Sequence, residues 1–427
     1  MLLLRTPSFL LSARQASAYS FALVLMSWWG SAMATNGINL IGFGAESTLM
    51  AGADTAVARD TSALNTNPAG LTQIKGQAFD GFGTMLRTID LAHKDSFDND
   101  IHASNRYTFL GGGGYAKSLD SMPCTAGVGL FAQGGAGGVF KHVDNVFGTR
   151  DRLSSLFGIA KIIPGMGCQI TDKLSIGASV ALVYASLDQE VFPNTPTQGG
   201  LASYKLEDTQ SLKAGFKLGM MYQLTPEVTL GASYTSKTEL PLTGGEMTVN
   251  DNVLGTVKYR HASVKGLALP QEIALGIALK PADDWLLSFK LNWIDWSGAI
   301  KDVTTEASGP NNALAQPIQL TTAGDWKNQL VFATGAAYTL NEKTTLYAGY
   351  NYGRNPVPKE NSSSLLAAIL EHHFTLGAAR QITPEWKLTG GMEYVANAKV
   401  DYTSPLFGNA EVRNEALFLH FMFSRRW

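Results

Sequence analysis

The chain has 427 residues, a formal net charge of −2 and only 16% charged residues, against about 25% in an ordinary globular domain. Near-neutral charge without a long basic run argues against a nucleic-acid partner. Mean hydropathy is +0.00, and past the N-terminus no apolar run approaches the roughly 18 residues of a spanning helix, which excludes a helical membrane protein.

The first predicted element is an export signal over residues 1–34. Arg5 and Arg14 precede the apolar run Phe21–Trp29, and "SAMA" puts the small residues Ala32 and Ala34 at a cleavage site. The mature chain is expected to begin at Thr35. The run is too short for a membrane anchor.

Residues 35–76 are rich in glycine, alanine and asparagine and show no period. The stretch is too long for a frayed end and too apolar for a free tail. Near its close stands "SALNTNPAGL", Ser62–Leu71. Asn67-Pro68-Ala69-Gly70 reads as a turn: asparagine first, proline fixing φ at the second position, glycine fourth.

From residue 77 onward the sequence alternates with period two, the sign of strands with one apolar face. In "SLKAGFKLGMMYQL" Leu212, Ala214, Phe216 and Leu218 share one face, and Lys213, Gly215, Lys217 and Gly219 the other. Fourteen strands are predicted, over 77–88, 106–118, 124–134, 154–168, 172–187, 210–224, 227–239, 257–280, 284–297, 327–340, 343–353, 372–383, 385–397 and 413–427. Pro270 interrupts the eighth. It is read as a kink in one strand, because an even count returns both chain ends to the same side.

Connections alternate between tight turns, such as Thr225–Glu227 and Asn341–Lys343, and long polar loops, such as Ser297–Asp325 and Arg354–Glu371. That rhythm, aromatic strand ends and a final strand "ALFLHFMFSRRW" closing on Trp427 describe an outer-membrane barrel with its short turns in the periplasm. Arg425 and Arg380 fall where long cationic side chains reach to headgroups. A soluble β-sandwich accounts for the alternation but not for the export signal and the loop rhythm together.

The inward faces are small and weakly charged: Gly177, Ser179 and Ala181; Gly215 and Gly219; Ala274 and Gly276; Ala333, Gly335 and Ala337. Lys213, Lys217 and Lys290 also point inward. Lys217 and Lys290 are candidates to meet a ligand carboxylate, and an internal ion pair stays open for each. Cys124 and Cys168 fall at the periplasmic ends of neighbouring strands, where a disulfide and two free thiols are both open. The seven histidines show no metal-ligand spacing. His372 and His373 are adjacent, so they point to opposite faces of a strand. Neither an enzyme nor a cofactor is expected.

The residues before the first strand resemble the N-terminal hatch of the FadL/toluene-X family of outer-membrane transporters for long-chain fatty acids and other hydrophobic compounds. The matching positions are Asn36-Gly37, Gly42, Gly44, Gly52-Ala53, Asp60 and Asn67-Pro68-Ala69. "EVTLGASYTSK", "LPQEIALGIALKPADDWLLSFKLNWIDWS" and Pro356-x-Pro358 extend the likeness through most of the mature chain. The resemblance implies a fourteen-stranded all-β barrel (77–427) plugged by a hatch (35–76), in the outer membrane of a Gram-negative bacterium.

It also implies passive uptake. A hydrophobic ligand binds inside, the hatch shifts, and the ligand leaves sideways through a gap made by an inward kink in the third strand. Here that gap is expected at Gly127, Gly129, Gly134 and Gly135. Expected partners are the ligand, membrane lipid and the barrel assembly machinery, with the barrel a monomer. Long-chain fatty acids are the favoured cargo. Aromatic hydrocarbons come second, and a non-transporting adhesin or receptor barrel is the reading from another class.

Overall fold

The computed structural model describes residues 36–197 and 203–427. The expected export signal and Thr35 lie outside the described residues.

Alternating segments can span a bilayer only if every backbone N–H and C=O finds a partner, which requires a closed sheet. The wall strands are β1 (Gln77–Thr88), β2 (Tyr107–Ser118), β3 (Cys124–Ala136), β4 (Arg150–Gln169), β5 (Leu174–Val191), β6 (Tyr204–Gln223) and β7 (Val228–Thr235). The other half comprises β8 (Glu272–Ala282), β9 (Trp285–Ile294), β10 (Gln329–Asn341), β11 (Thr344–Gly353), β12 (His372–Gln381), β13 (Trp386–Ser404) and β14 (Gly408–Arg426). Neighbours pair antiparallel in chain order. β1 closes on β14 from Ala78↔Arg426 to Thr88↔Ala416, giving the predicted barrel of 14 strands.

Large apolar side chains stand on the outside, where the solvent is hydrocarbon. Leu212, Leu376, Phe421 and Leu275 are 56–66% exposed. Aromatic belts mark both interfaces, with the Trp285–Tyr338 rings 4.8 Å apart at the turn end and Tyr350–Phe374 5.1 Å apart at the other. The Arg425 guanidinium lies over Trp427 and Trp386, at 4.7 and 5.6 Å, and pairs with Glu385.

One predicted strand is corrected. Residues 257–280 are not a single kinked strand. Gly255–Lys265 pairs with Leu242–Asp251 and Asp302–Pro310 in a ribbon outside the wall, and β8 starts only at Glu272. Pro270 sits in the break, so its missing N–H costs no ladder bond. The even count survives because the extra strand never enters the wall. Nor are the long loops open coils. Ile318–Ala323 adds a further strand to the ribbon, and the segment before β12 buries Ser364, Ile369 and Leu370 at the outer mouth.

Residues 36–76 run inside the barrel with a one-turn helix, α1 (Ala45–Leu49), and two 3₁₀ turns, Thr61–Leu64 and Pro68–Gln73. The small inward faces follow from this. A Cβ on Gly219 would lie 2.0 Å from Asn67 Oδ1, on Gly231 2.2 Å from Thr55 O, on Gly177 2.4 Å from Ala69 N, and on Gly335 2.6 Å from Met50 O. Real Cβ atoms do not approach so closely, so glycine is what lets the backbones touch.

Candidate functional site

The turn at Asn67 begins a 3₁₀ helix. Asn67 caps it, its Oδ1 accepting from Ala69 N at 3.2 Å, and Gly70 N closes the turn on Asn67 O at 2.9 Å. Asn67 Nδ2 donates to Thr55 O at 2.7 Å and to Met220 O at 3.1 Å. One fully buried amide thus binds the turn to the rest of the inner segment and to β6. The segment is tied elsewhere by Thr61 N to Asp80 Oδ2 (2.9 Å), by Thr375 Oγ1 to Leu49 O (2.8 Å) and by Lys387 to Glu46.

The wall is interrupted at β3. Pairing of β2 with β3 runs from Ser118↔Thr125 to Gly112↔Phe131 and stops there. β2 continues to Tyr107, still paired with β1 on its other side. Beyond Phe131, β3 turns inward to the N-terminal segment: Leu40 N donates to Gln133 O at 3.3 Å and Gly135 N to Ile38 O at 3.1 Å. The bend is built on glycine. Gly134 and Gly135 have φ of 155° and 152°, and a Cβ on Gly134 would meet Ile38 O at 2.0 Å. The pairing with β4 shifts register between Ala132 and Gly134. Of the four glycines named from the sequence, Gly134 and Gly135 sit at the break. Gly127 and Gly129 lie below it, in an unbroken ladder with β2 and β4. Behind the opening is a small cavity lined by Leu40, Phe43, Phe82, Leu110 and Ala132, with Glu393 and His420 also in its wall.

A second pair of small cavities adjoins the first 3₁₀ turn and shares Asn39, Gln133, Lys161, Lys217 and Glu272 in its lining. Lys290 joins the larger one but is bound to Asp54 of the inner segment, 3.2 Å away. Glu272 accepts from Asn39 at 3.1 Å and Asn292 at 2.9 Å. Among the described residues, Lys161 and Lys217 have no hydrogen-bond or ion-pair partner. Lys161 is 6% exposed. Three lysines therefore face two carboxylates, Asp54 and Glu272, in the larger cavity, so one amine there has no carboxylate to itself. Lys213 is exposed and lines neither cavity.

Sequence reasoning missed Lys161, Asp54 and Glu272. Lys161 shares the period-two parity of Gly165 and Gly167, both of which touch the inner segment, and that parity was the available signal. Asp54 lies in a stretch with no period, so nothing local assigned it a face.

Three histidines, His93, His373 and His420, are buried. His373 faces inward, its Nδ1 2.8 Å from Glu393 Oε1, and His420 Nε2 is 3.1 Å from Glu393 Oε2. His372 points outward, with its ring 4.9 Å from that of Tyr352. At the outer mouth His93 lies between Ser364 Oγ (2.7 Å) and Asp95 Oδ2 (2.9 Å). These are the residue types of an acyl-transfer triad. Here the serine is 0% exposed and shares its hydroxyl with Tyr402 OH at 3.1 Å, so the cluster fastens loops together and offers no reachable nucleophile.

Cys124 and Cys168 face each other in the β3–β4 register, Cα atoms 4.0 Å apart, and their Sγ atoms are bonded. The bond fixes the base of β3 while its upper part bends away.

Comparison with known proteins agrees with this architecture. The model of the family described as "Outer membrane protein transport protein (OMPP1/FadL/TodX)" matches residues 124–415. Outer membrane protein P1 of Haemophilus influenzae is 26% identical over 198 residues, which are 46% of this chain and 41% of that protein, so the match spans less than half of the relative's length. The Pseudomonas putida toluene transporter TodX superposes with a TM-score of 0.77 at 22% identity, over 91% of this chain and 99% of that one. The Ralstonia pickettii toluene transporter TbuX gives 0.74 at 21% identity, with the same two shares. A Pseudomonas aeruginosa FadL homologue gives 0.69 at 15% identity, over 91% and 98%. The chain belongs to the OMPP1/FadL/TodX family of outer membrane transport proteins and is a barrel of the Gram-negative outer membrane.

Proposed function

We propose that this barrel carries hydrophobic compounds across the outer membrane, and that its main cargo is long-chain fatty acids. The ligand binds in the lysine-lined cavities, residues 36–76 shift as a hatch, and the ligand leaves sideways between β2 and β3. The observation that carries the route is the ending of the β2–β3 ladder at Phe131 over a cavity whose wall includes Leu40, Phe43, Phe82 and Leu110. A greasy chain gains about 0.8 kcal/mol per CH₂ withdrawn from water, so a path from cavity to lipid suits it better than a wet pore. The fatty-acid assignment rests on the amines of Lys161 and Lys217, which line the cavities without a carboxylate partner and to which a ligand carboxyl group would pair by charge-assisted hydrogen bonds.

A second reading, uptake of aromatic hydrocarbons, is favoured by the likeness to TodX and TbuX, which are toluene transporters. Radiolabelled uptake of oleate and of toluene in a deletion strain, with and without the gene restored, separates the two. Restoration of oleate uptake alone supports the fatty-acid reading, and restoration of toluene uptake alone supports the other. Equal uptake of both in all strains rejects the transport reading.

A further inference from the structure

The wall has a second break. The β6–β7 ladder runs from Thr229↔Gln223 to Thr235↔Lys217, with a last backbone bond from Ser236 N to Phe216 O at 2.9 Å. On that side β6 finds its next ladder partner only at Gln210, opposite Thr243 of the ribbon. Between them Ser211–Gly215 has no ladder partner on that edge, while its other edge stays paired with β5. The chains leaving β7 and approaching β8 instead pair with each other, Thr238↔Leu269 and Glu239↔Ala268, in a separate two-stranded sheet. Pro241 and Pro270 flank that small ribbon. Neither can donate a ladder bond, so the departure from the wall is written into the sequence.

What lies on each side of this seam differs. Outside, Leu212 and Phe216 are 66% and 45% exposed on the lipid-facing parity, and the Phe216 ring is 5.9 Å from that of Tyr234 in the outer aromatic belt. Inside is the smaller lysine cavity, lined from the seam by Gly215, Thr238 and Leu269 and at its back by Lys161 and Lys217. The same cavity reaches Gln133, whose carbonyl binds the inner segment at the β3 break. Residues of all four strands between the two breaks, β3–β6, therefore line this cavity.

From this we infer that the β6–β7 seam is a lateral way in, at outer-leaflet depth, for single-chain amphiphiles with an anionic head, the head passing to Lys161 and Lys217. The cargo then crosses from one wall opening to the other without travelling the barrel axis. The inference rests on the transport reading above and adds the route by which the cavity is loaded.

A disulfide across the seam tests it. A Cβ on Gly215 would lie 3.7 Å from Thr238 Cβ, within the range that a disulfide spans. The full chain carrying Gly215→Cys and Thr238→Cys is placed in phospholipid vesicles, and the loading of 11-(dansylamino)undecanoic acid is followed by fluorescence under oxidising and reducing conditions, with the wild-type chain treated alike. Loading that is several-fold slower when oxidised, and restored by reductant in the double variant alone, supports the seam. Thr238→Trp, which fills the cavity side without a new bond, then slows loading as well. Equal rates in oxidised, reduced and wild-type protein overturn it. A wild-type chain that takes up no probe overturns the transport reading and this one with it.

Discussion

Asn67 does three jobs with one amide. It caps the 3₁₀ turn and donates to Thr55 O and Met220 O with no exposure to water. Its truncation leaves buried groups unpaired, at about 1–3 kcal/mol. Asn67→Ala is therefore expected to loosen the inner segment, raising the rate of probe release while the folded barrel keeps its heat-modifiable migration. Loss of that migration would show that the turn serves assembly alone. Lys161 and Lys217 carry a separate prediction. Replacing either by methionine keeps the volume and removes an amine that has no partner. Fatty-acid affinity should fall about tenfold, the equivalent of 1.4 kcal/mol and within the worth of a charged hydrogen bond, with toluene binding unchanged. Isothermal titration of both ligands checks it. Lys290→Met should matter less for the ligand, because its charge is already taken up by Asp54.

At the scale of elements, β3 has two halves with different tasks. Below Phe131 it is ordinary wall, joined to β4 through Cys124 and Cys168. Above, it belongs to the inner segment. Gly134→Val puts a side chain where Ile38 O already stands. It should abolish uptake with the barrel still assembled, whereas Gly127→Ala, whose Cβ would lie 2.8 Å from Tyr115 O in an unbroken stretch of ladder, should lower the thermal stability of the barrel and leave the break above Phe131 open. Paired uptake and heat-modifiability assays distinguish these outcomes. Alternation made the wall strands legible but could not tell β8 from the ribbon strand before it. Val257, Tyr259, Ala262 and Val264 bury one face on the outer core, and that burial writes the same period as lipid does. Proline was the discriminating residue, and the parity argument overrode it.

The loop fastening at His93 was not legible at all, since Ser364 is 271 residues away in sequence. Burial pushes the Asp95 carboxyl up, but hydrogen bonds from His93, Asn99 and Phe97 N outweigh it and hold the carboxyl below its usual 3.8. A depressed acid stabilises fully above its unfolded value and loses that contribution as pH falls through its folded value. Protection of the 92–102 loop from limited proteolysis should thus be unchanged by Asp95 from neutral pH to about 4 and decline below that; Asp95→Asn should lower it at neutral pH.

For the whole molecule, the barrel and its filling form one packing problem. Strand number and closure could be read from period two and parity, because each is imposed by the bilayer on every strand. The site could not. Its lysines, carboxylates and amides come from β4, β6, β8, β9 and the aperiodic N-terminal stretch, and no local pattern records their convergence.

The ring of inward glycines carries a cost for the cell. Side chains that would fill an ordinary small lumen have been removed so that residues 36–76 fit against bare backbone. A barrel exported without that stretch therefore has no constriction of its own. Deleting residues 36–76 from the full chain should turn the barrel into a leak, and bacteria expressing it should become sensitive to vancomycin, a drug too large for an intact outer membrane. An unchanged inhibitory concentration, with the truncated barrel detected in the membrane, would mean that the wall collapses inward on its own.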